Sequence, residues 1–258
     1  MNRRRKLLLL GVEVGASLAL LAALWAWTAG AESYYYPPLG DVLTAFKDTW
    51  LFDRVGEDVV PSLIRLGIGY TIAVVVGIAL GLLLGRKPTL RRMFAPIVEF
   101  LRAIPAPALI PFAILVLGVE NDAKIFLIAV VCVFPVLLNA IDGVAGVEPT
   151  LLDTTRVYRI GALDRLRFVV LPAAAPQIFA GMRTSLSLSL ILMVISEMVA
   201  SSNGIGYFVL EAQRSFVITE MWSGILLLGL LGYLFNAVFT LVERRVLAWH
   251  IGARAGAK

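Results

Sequence analysis

EPTLLDTTRVYRIGALDRLRFVVLP, residues 148–172, is a polar, arginine-bearing stretch in a chain of 258 residues that is otherwise dominated by apolar side chains. It reads as two short helices, Pro149 to Ile160 and Ala162 to Leu171, with a hinge at Gly161 between them and Pro172 as the stop. Leu151, Thr155 and Tyr158 fall at helical spacing on one side of the first helix. Leu163, Leu166 and Val170 do the same in the second, with Asp164, Arg165 and Arg167 turned elsewhere. Two readings fit such an element. It presents a compact surface to a partner, or it lies on lipid headgroups with its arginines as anchors.

The rest of the chain calls for a non-aqueous solvent. Apolar residues make up 59% of it and the mean hydropathy is +0.87, more apolar surface than water-soluble folds tolerate. Runs near the ~20 residues needed to cross a bilayer occur around Leu7–Thr28, Ser62–Leu84, Met93–Gly118, Lys124–Gly143, Gln177–Ala200 and Trp222–Val242. The expectation is an all-α integral membrane protein, one transmembrane domain over residues 1–258 with six spans and a projecting loop at 148–172. Lys and Arg give the orientation. With the N-terminus inside, Arg3–Lys6, Arg86, Lys87, Arg91, Arg92, the loop arginines and Arg244, Arg245, Arg254 and Lys258 are all cytoplasmic. Lys47, Arg54, Lys124 and Arg214 fall outside, and Arg65, Arg102 and Arg183 lie within or at the edges of spans. Both termini are therefore expected inside. The net charge of +5 follows from this bias and does not point to nucleic acid, since no basic–aromatic interleaving accompanies it.

Several local features have plain readings. Arg3–Lys6, an apolar run and Ala29-Gly30-Ala31 imitate a cleavable leader, but the run exceeds a usual leader core and its removal would leave an odd number of spans. Glu13 interrupts that run and places one helix face against protein or near the interface. Tyr34-Tyr35-Tyr36-Pro37-Pro38 suits an aromatic anchor at the outer interface, and Leu39–Phe52 has helical spacing along the surface. Cys132 stands alone, so an internal disulfide or thiolate metal site is excluded. His250, the one histidine, reads as interfacial beside Trp249. Gly67, Gly77, Gly81 and Gly85 favour close helix packing within the subunit. Ser185, Ser187 and Ser189 alternate and are scattered by a helix over different faces.

Within the loop, Asp153-Thr154-Thr155, then Val169 and Leu171-Pro172, match the spacing of the pattern E-A-A, three residues, G, nine residues, I, one residue, L-P. Glu99-Phe100-Leu101-Arg102-Ala103-Ile104-Pro105, Ile110-Pro111, Gly181-Met182-Arg183, Ser196-Glu197-Met198 and Gly204-Ile205-Gly206 carry the likeness further. From about Pro61 to Arg245 the chain resembles the membrane-spanning permease subunits of bacterial ABC importers, in the branch that serves nitrate, aliphatic sulfonates such as taurine, and related small compounds. It departs from the pattern at the two alanines, which are threonine, and at the shorter acid. Arg159 also occupies the pattern's glycine position, with Gly161 two residues later.

The resemblance implies a type I importer permease with six spans in the bacterial inner membrane, paired with a second copy of itself. It also implies two cytoplasmic ATPase chains, which bind ATP and Mg, and an extracytoplasmic binding protein. The loop would dock on the ATPase through Asp153, Thr154, Thr155, Arg156, Tyr158, Arg159 and Gly161. No cofactor is expected on this chain. No G-x-x-x-x-G-K-[ST] phosphate loop occurs in it, so hydrolysis by that route belongs to another polypeptide. The cargo expected is a small anion or organosulfonate, with a thiamine-precursor pyrimidine or bicarbonate as alternatives.

Charged groups inside spans mark candidate pathway positions. Glu197, flanked by Ser196, is a gate, a pairing residue or a cavity wall; Glu99 and Arg102, three apart, form an internal ion pair or face the path. Pro105, Pro107 and Pro111 kink or unwind the third span, as a flex point or a packing kink. An ion-driven transporter would need repeated broken helices around a midplane site, and an integral membrane enzyme a nucleophile–base set or metal cluster. The sequence offers one strongly broken span, no internal repeat and a single histidine outside the spans.

Overall fold

The computed structural model describes residues 33–249 and scattered positions between 12 and 30. The first expected span, Glu13 and His250 therefore fall wholly or largely outside the described residues. In chain order the helices are α1 (Leu39–Asp48), α2 (Val60–Arg86), α3 (Pro88–Ala103), α4 (Ile110–Leu117), α5 (Asn121–Ala145), α6 (Pro149–Val157), α7 (Ala162–Arg165), α8 (Leu171–Ala200), α9 (Ile205–Arg214) and α10 (Ile218–Val246). Among the described residues all regular structure is helical. Four helical stretches are long and apolar enough to cross a membrane, and the bent pair at 88–117 makes a fifth if it counts as one span.

The chain divides into two compact units, residues 1–55 with 208–227 and residues 56–207 with 228–258. In the smaller unit Trp50 is buried edge-on to Phe208 at 4.7 Å between ring centroids, and its Nε1 donates to Ser223 Oγ at 3.1 Å. Trp222 Nε1 donates to the Tyr35 carbonyl at 3.0 Å, and the rings of Tyr34, Tyr35 and Tyr36 are exposed.

The larger unit is built on the seam between α2 and α5. Gly69, Ala73, Gly77, Gly81 and Gly85 repeat every four residues on α2, opposite Ile128, Cys132, Val136, Ala140 and Val144 at the same interval on α5. Rows spaced by four interdigitate, and missing side chains let the backbones approach. A Cβ on Gly69 or Gly77 would lie 2.8 Å from the Cβ of Ile128 or Val136, closer than real atoms come. Gly67 differs from the other glycines expected at this seam: nothing lies within 4 Å of where its Cβ would stand. Helix α8 closes the other side of α5. Gly181 lies against Pro135 and Asn139, and Ser185 Oγ donates to the Cys132 carbonyl at 2.8 Å. Ser185 and Ser189, one turn apart, share this buried face while Ser187 points away, so two of the three serines do form a stripe.

Two expectations about the chain path need correction. Pro172 does not stop a helix. The segment from Ala162 to Ala200 is continuous, with a wide π-type turn at Leu166–Val170 just before Leu171 and Pro172. That turn provides room for the proline ring, which would otherwise clash with the carbonyl four residues back. The first loop helix ends at Val157 instead of Ile160, and the special backbone is at Arg159, with φ +52°. Arg159 N–H donates to the Arg156 carbonyl at 3.0 Å and Ile160 N–H to the Thr155 carbonyl at 2.9 Å, the paired bonds of a left-handed helix terminator. Gly161, read as the hinge, has φ −58° and an ordinary extended conformation.

Candidate functional site

The loop is rooted on the bundle and exposes its tip. Leu152, Leu166 and Leu171 pack on a buried cluster of Ala140, Val144, Val147, Val170, Ala174 and Ile178. Thr155 belongs to this inner face, 2% exposed with its hydroxyl bonded to the Leu152 carbonyl. The expected face of Leu151, Thr155 and Tyr158 is therefore divided: Leu151 and Tyr158 point out with Asp153 and Thr154, and Leu163 points out in the second segment while Leu166 and Val170 turn in. Val157 at 79%, Tyr158 at 76% and Leu163 at 75% exposure make an apolar tip beside Arg156 and Arg159. Arg156 pairs with Asp153 within the loop. Exposed apolar side chains with a polar rim are the kind of surface that a partner or lipid covers.

At the N-terminal end of α2 and the C-terminal end of α8 the structure builds a buried polar knot that sequence reading only half located. Arg65 Nη1 donates to Glu197 Oε1 at 2.7 Å, and the two side chains are 4% and 0% exposed. Arg65 Nε donates to Asn121 Oδ1 at 2.7 Å, and its other nitrogens reach the carbonyl and side-chain oxygens of Asn203. The Glu197 carboxylate also accepts from Ser62 Oγ at 2.8 Å and from Gly206 N–H at 3.0 Å. Asp58 Oδ1 accepts from Gly204 N–H at 2.8 Å, and Ser62 Oγ from Ile205 N–H at 3.0 Å. The turn at 201–206 is thereby laced to α2 and α5. Gly204, at φ +116°, is required twice: a side chain there would be strained, and its Cβ would sit 2.6 Å from both Glu197 carboxylate oxygens.

Glu197 is thus a fully bonded pairing residue in this conformation. Ser196 is buried with its hydroxyl on the Met193 carbonyl, and the space it borders with Ile110, Ala113 and Lys124 is about 10 Å³, room for one water at most. Lys124, expected among outer residues, buries its stem and donates to the carbonyls of Val119 and Glu120. The missed partner of Glu197 was Arg65. Both are charges at the same end of antiparallel apolar helices, and that shared depth is the signal that pairs them.

The third candidate region holds the proline-rich break. Segments Pro88–Ala103 and Ala106–Leu117 meet at 89°, with Pro105 extended between them and Pro107 and Pro111 each at the start of a helical turn, where a missing N–H is harmless. Glu99 and Arg102 do pair: Arg102 donates from Nε at 2.8 Å and from Nη2 at 2.6 Å to Glu99 Oε2. Farther along, Arg183 of α8 pairs with Glu243 of α10 and lies over the Phe239 ring at 5.8 Å.

The protein is similar to known permeases along nearly its whole length. It is 29% identical to the nitrate import permease NrtB of Synechocystis sp., over 91% of this chain and 89% of the relative. It is 32% identical to the bicarbonate transport permease CmpB of Synechococcus elongatus, over 76% and 73%, and 28% identical to the taurine transport permease TauC of Escherichia coli, over 91% and 88%. A chain of the MetNI methionine ABC transporter, solved in an inward-facing form, shares the fold with a TM-score of 0.65 at 20% identity, over 73% of this chain and 94% of that one. The model of the binding-protein-dependent transport system inner membrane component matches residues 73–248, and the chain belongs to that family, the transport permease subunits of ABC importers.

Proposed function

We propose that this subunit carries a small anion or an organosulfonate, such as nitrate or taurine, through the inner membrane. In this reading it works as one of two identical copies with both termini cytoplasmic and six spans each. Two ATPase chains, with ATP and Mg bound to them, dock on the paired loops, and an extracytoplasmic binding protein delivers cargo. The observation that carries the coupling half is the loop: an exposed tip of Val157, Tyr158 and Leu163 stands on a buried root shared with α5 and α8. A rigid root with a sticky tip transmits force, since displacement of the tip moves the packed helices beneath it. Asp153, Thr154, Arg156, Tyr158 and Arg159 form the contact surface, Thr155 supports it from below, and Gly161 joins its two halves. Glu197 serves as a pairing residue that holds the 201–206 turn on α2.

The nitrate and taurine relatives support a cargo that bears an oxyanion group. CmpB supports bicarbonate as the second reading, still an anion. The test is purification with the cognate ATPase and binding protein, followed by a screen of nitrate, taurine and bicarbonate for stimulated ATP hydrolysis. Stimulation by one of these solutes supports the reading. Stimulation only by solutes without an oxyanion group contradicts it.

A further inference from the structure

Two buried or half-buried ion pairs in the larger unit contrast sharply. Arg65–Glu197 is sealed, with side chains 4% and 0% exposed, whereas Arg102–Glu99 is open, at 48% and 57%. The open pair borders a groove of about 530 Å³ whose other walls include Val131, Phe134 and Leu138 of α5 and Leu188 of α8. Those residues occupy the middle of two spanning helices, Asn121–Ala145 and Leu171–Ala200. An ion pair therefore lies open beside the middle of two helices long and apolar enough to span a membrane. Hydrocarbon is a poor covering for it, because charges and unmet donors at that depth turn toward protein or a water-filled cavity. A pair whose purpose was only to fix a helix would be better placed as Arg65 and Glu197 are.

The bonding leaves capacity. Arg102 uses two of the five N–H groups of a guanidinium, both on the same carboxylate oxygen, and among the described residues it has no other bond. We propose that Arg102 is the intramembrane contact for the transported anion, with Glu99 as its resident counter-ion. This rests on the anionic-cargo reading above. A nitrate or sulfonate takes the unused N–H groups in the fork geometry that suits oxyanions, against the apolar walls of Phe134 and Leu188. Glu99 stays on the other edge of the guanidinium. It offsets the guanidinium charge from that edge, so the free N–H groups still attract an anion while its lodging is opposed, as a conducting site must bind weakly enough to release. The break at Ala103–Pro105 follows immediately, so a change in the 89° bend shifts Arg102 against α5 and α8.

Two measurements test this. Cys132 is buried, so a cysteine placed at Leu138 or Leu188 is a reporter on a quiet background. In vesicles, membrane-impermeant anionic and cationic thiosulfonates label a water-filled groove, and Arg102 favours the anionic one; Arg102→Gln reverses that preference. Absence of labelling by either reagent overturns the proposal, because the groove is then covered by lipid or protein. In proteoliposomes with the cognate ATPase and binding protein, uptake of whichever of nitrate, taurine or bicarbonate the wild type carries falls about tenfold or more in Arg102→Gln. Arg102→Lys, a point charge without the fork, falls between. Uptake undiminished in Arg102→Gln overturns this assignment alone, whereas a wild type that carries only solutes without an oxyanion group overturns the cargo reading with it. If Arg102→Gln fails to assemble, the labelling preference of the Arg102 protein decides the matter.

Discussion

Arg65 and Glu197 are the pair whose loss should be felt most. Each is buried and each satisfies several partners, so removing one leaves the other charged, unpaired and out of water. Arg65→Met or Glu197→Leu is expected to cost about 3–5 kcal/mol, seen as a large drop in melting temperature in detergent. The double substitution does not recover the loss, since Ser62, Asn121, Asn203 and the Gly206 N–H would still lack partners. A melting temperature unchanged in Arg65→Met would contradict the knot. The glycines divide in the same residue-level way. Gly77→Ala meets Val136 and is expected to destabilise by about 1–3 kcal/mol. Gly67→Ala meets nothing and is expected to gain up to about 1 kcal/mol of helix propensity. The same thermal assay separates them. Glycine spacing announced a seam, but Gly67 was placed on it although it lies two residues off the four-residue repeat that Gly69 keeps with Gly77, Gly81 and Gly85. Identity gives the absence of a side chain, and only packing tells whether that absence is used.

At the scale of elements, the loop is where sequence reading was both most informative and most often displaced. A polar stretch between apolar runs was legible, as were Pro149 as an opener and two helical pieces. The terminator was not. Glycine is the usual residue for a left-handed terminator, so Gly161 drew the hinge, whereas the backbone places that conformation on Arg159. The pattern's glycine falls at this very position, and its departure to arginine now has a cost, about 1–2 kcal/mol for a left-handed side-chain residue. Arg159→Gly is accordingly expected to stabilise modestly, by about 0.5–1 kcal/mol once the freer unfolded chain is counted, and Arg159→Val to destabilise. Gly161→Ala is expected to be neutral, its nearest foreign atom being Asp164 Oδ2 at 3.7 Å. Hydrogen exchange at the Ile160 amide reports the terminator directly. Pro172 taught a related lesson. A proline ends a regular α-helix, but a π-turn placed just ahead of it lets the chain continue as one rod from loop to span.

For the whole molecule, composition and charge bias gave an all-helical membrane protein, and motif spacing gave the family. Which faces look outward was settled by packing. The broken span at 88–117 was legible because three prolines lie within seven residues, 105–111. The mid-depth groove beside it was not, because a groove is a relation among α3, α5 and α8 that no single segment encodes. The central claim is mechanical: a loop rooted in the bundle hands work from a separate ATPase to the span region. Its most direct test is ATP-driven uptake by the reconstituted complex with the loop tip made charged, as Val157→Asp with Leu163→Asp, both exposed positions whose change leaves the buried root intact. The account predicts a permease that folds and melts as the wild type does but neither retains the ATPase nor takes up cargo. Full uptake in that variant, or uptake by the wild type with no ATPase present, would contradict it.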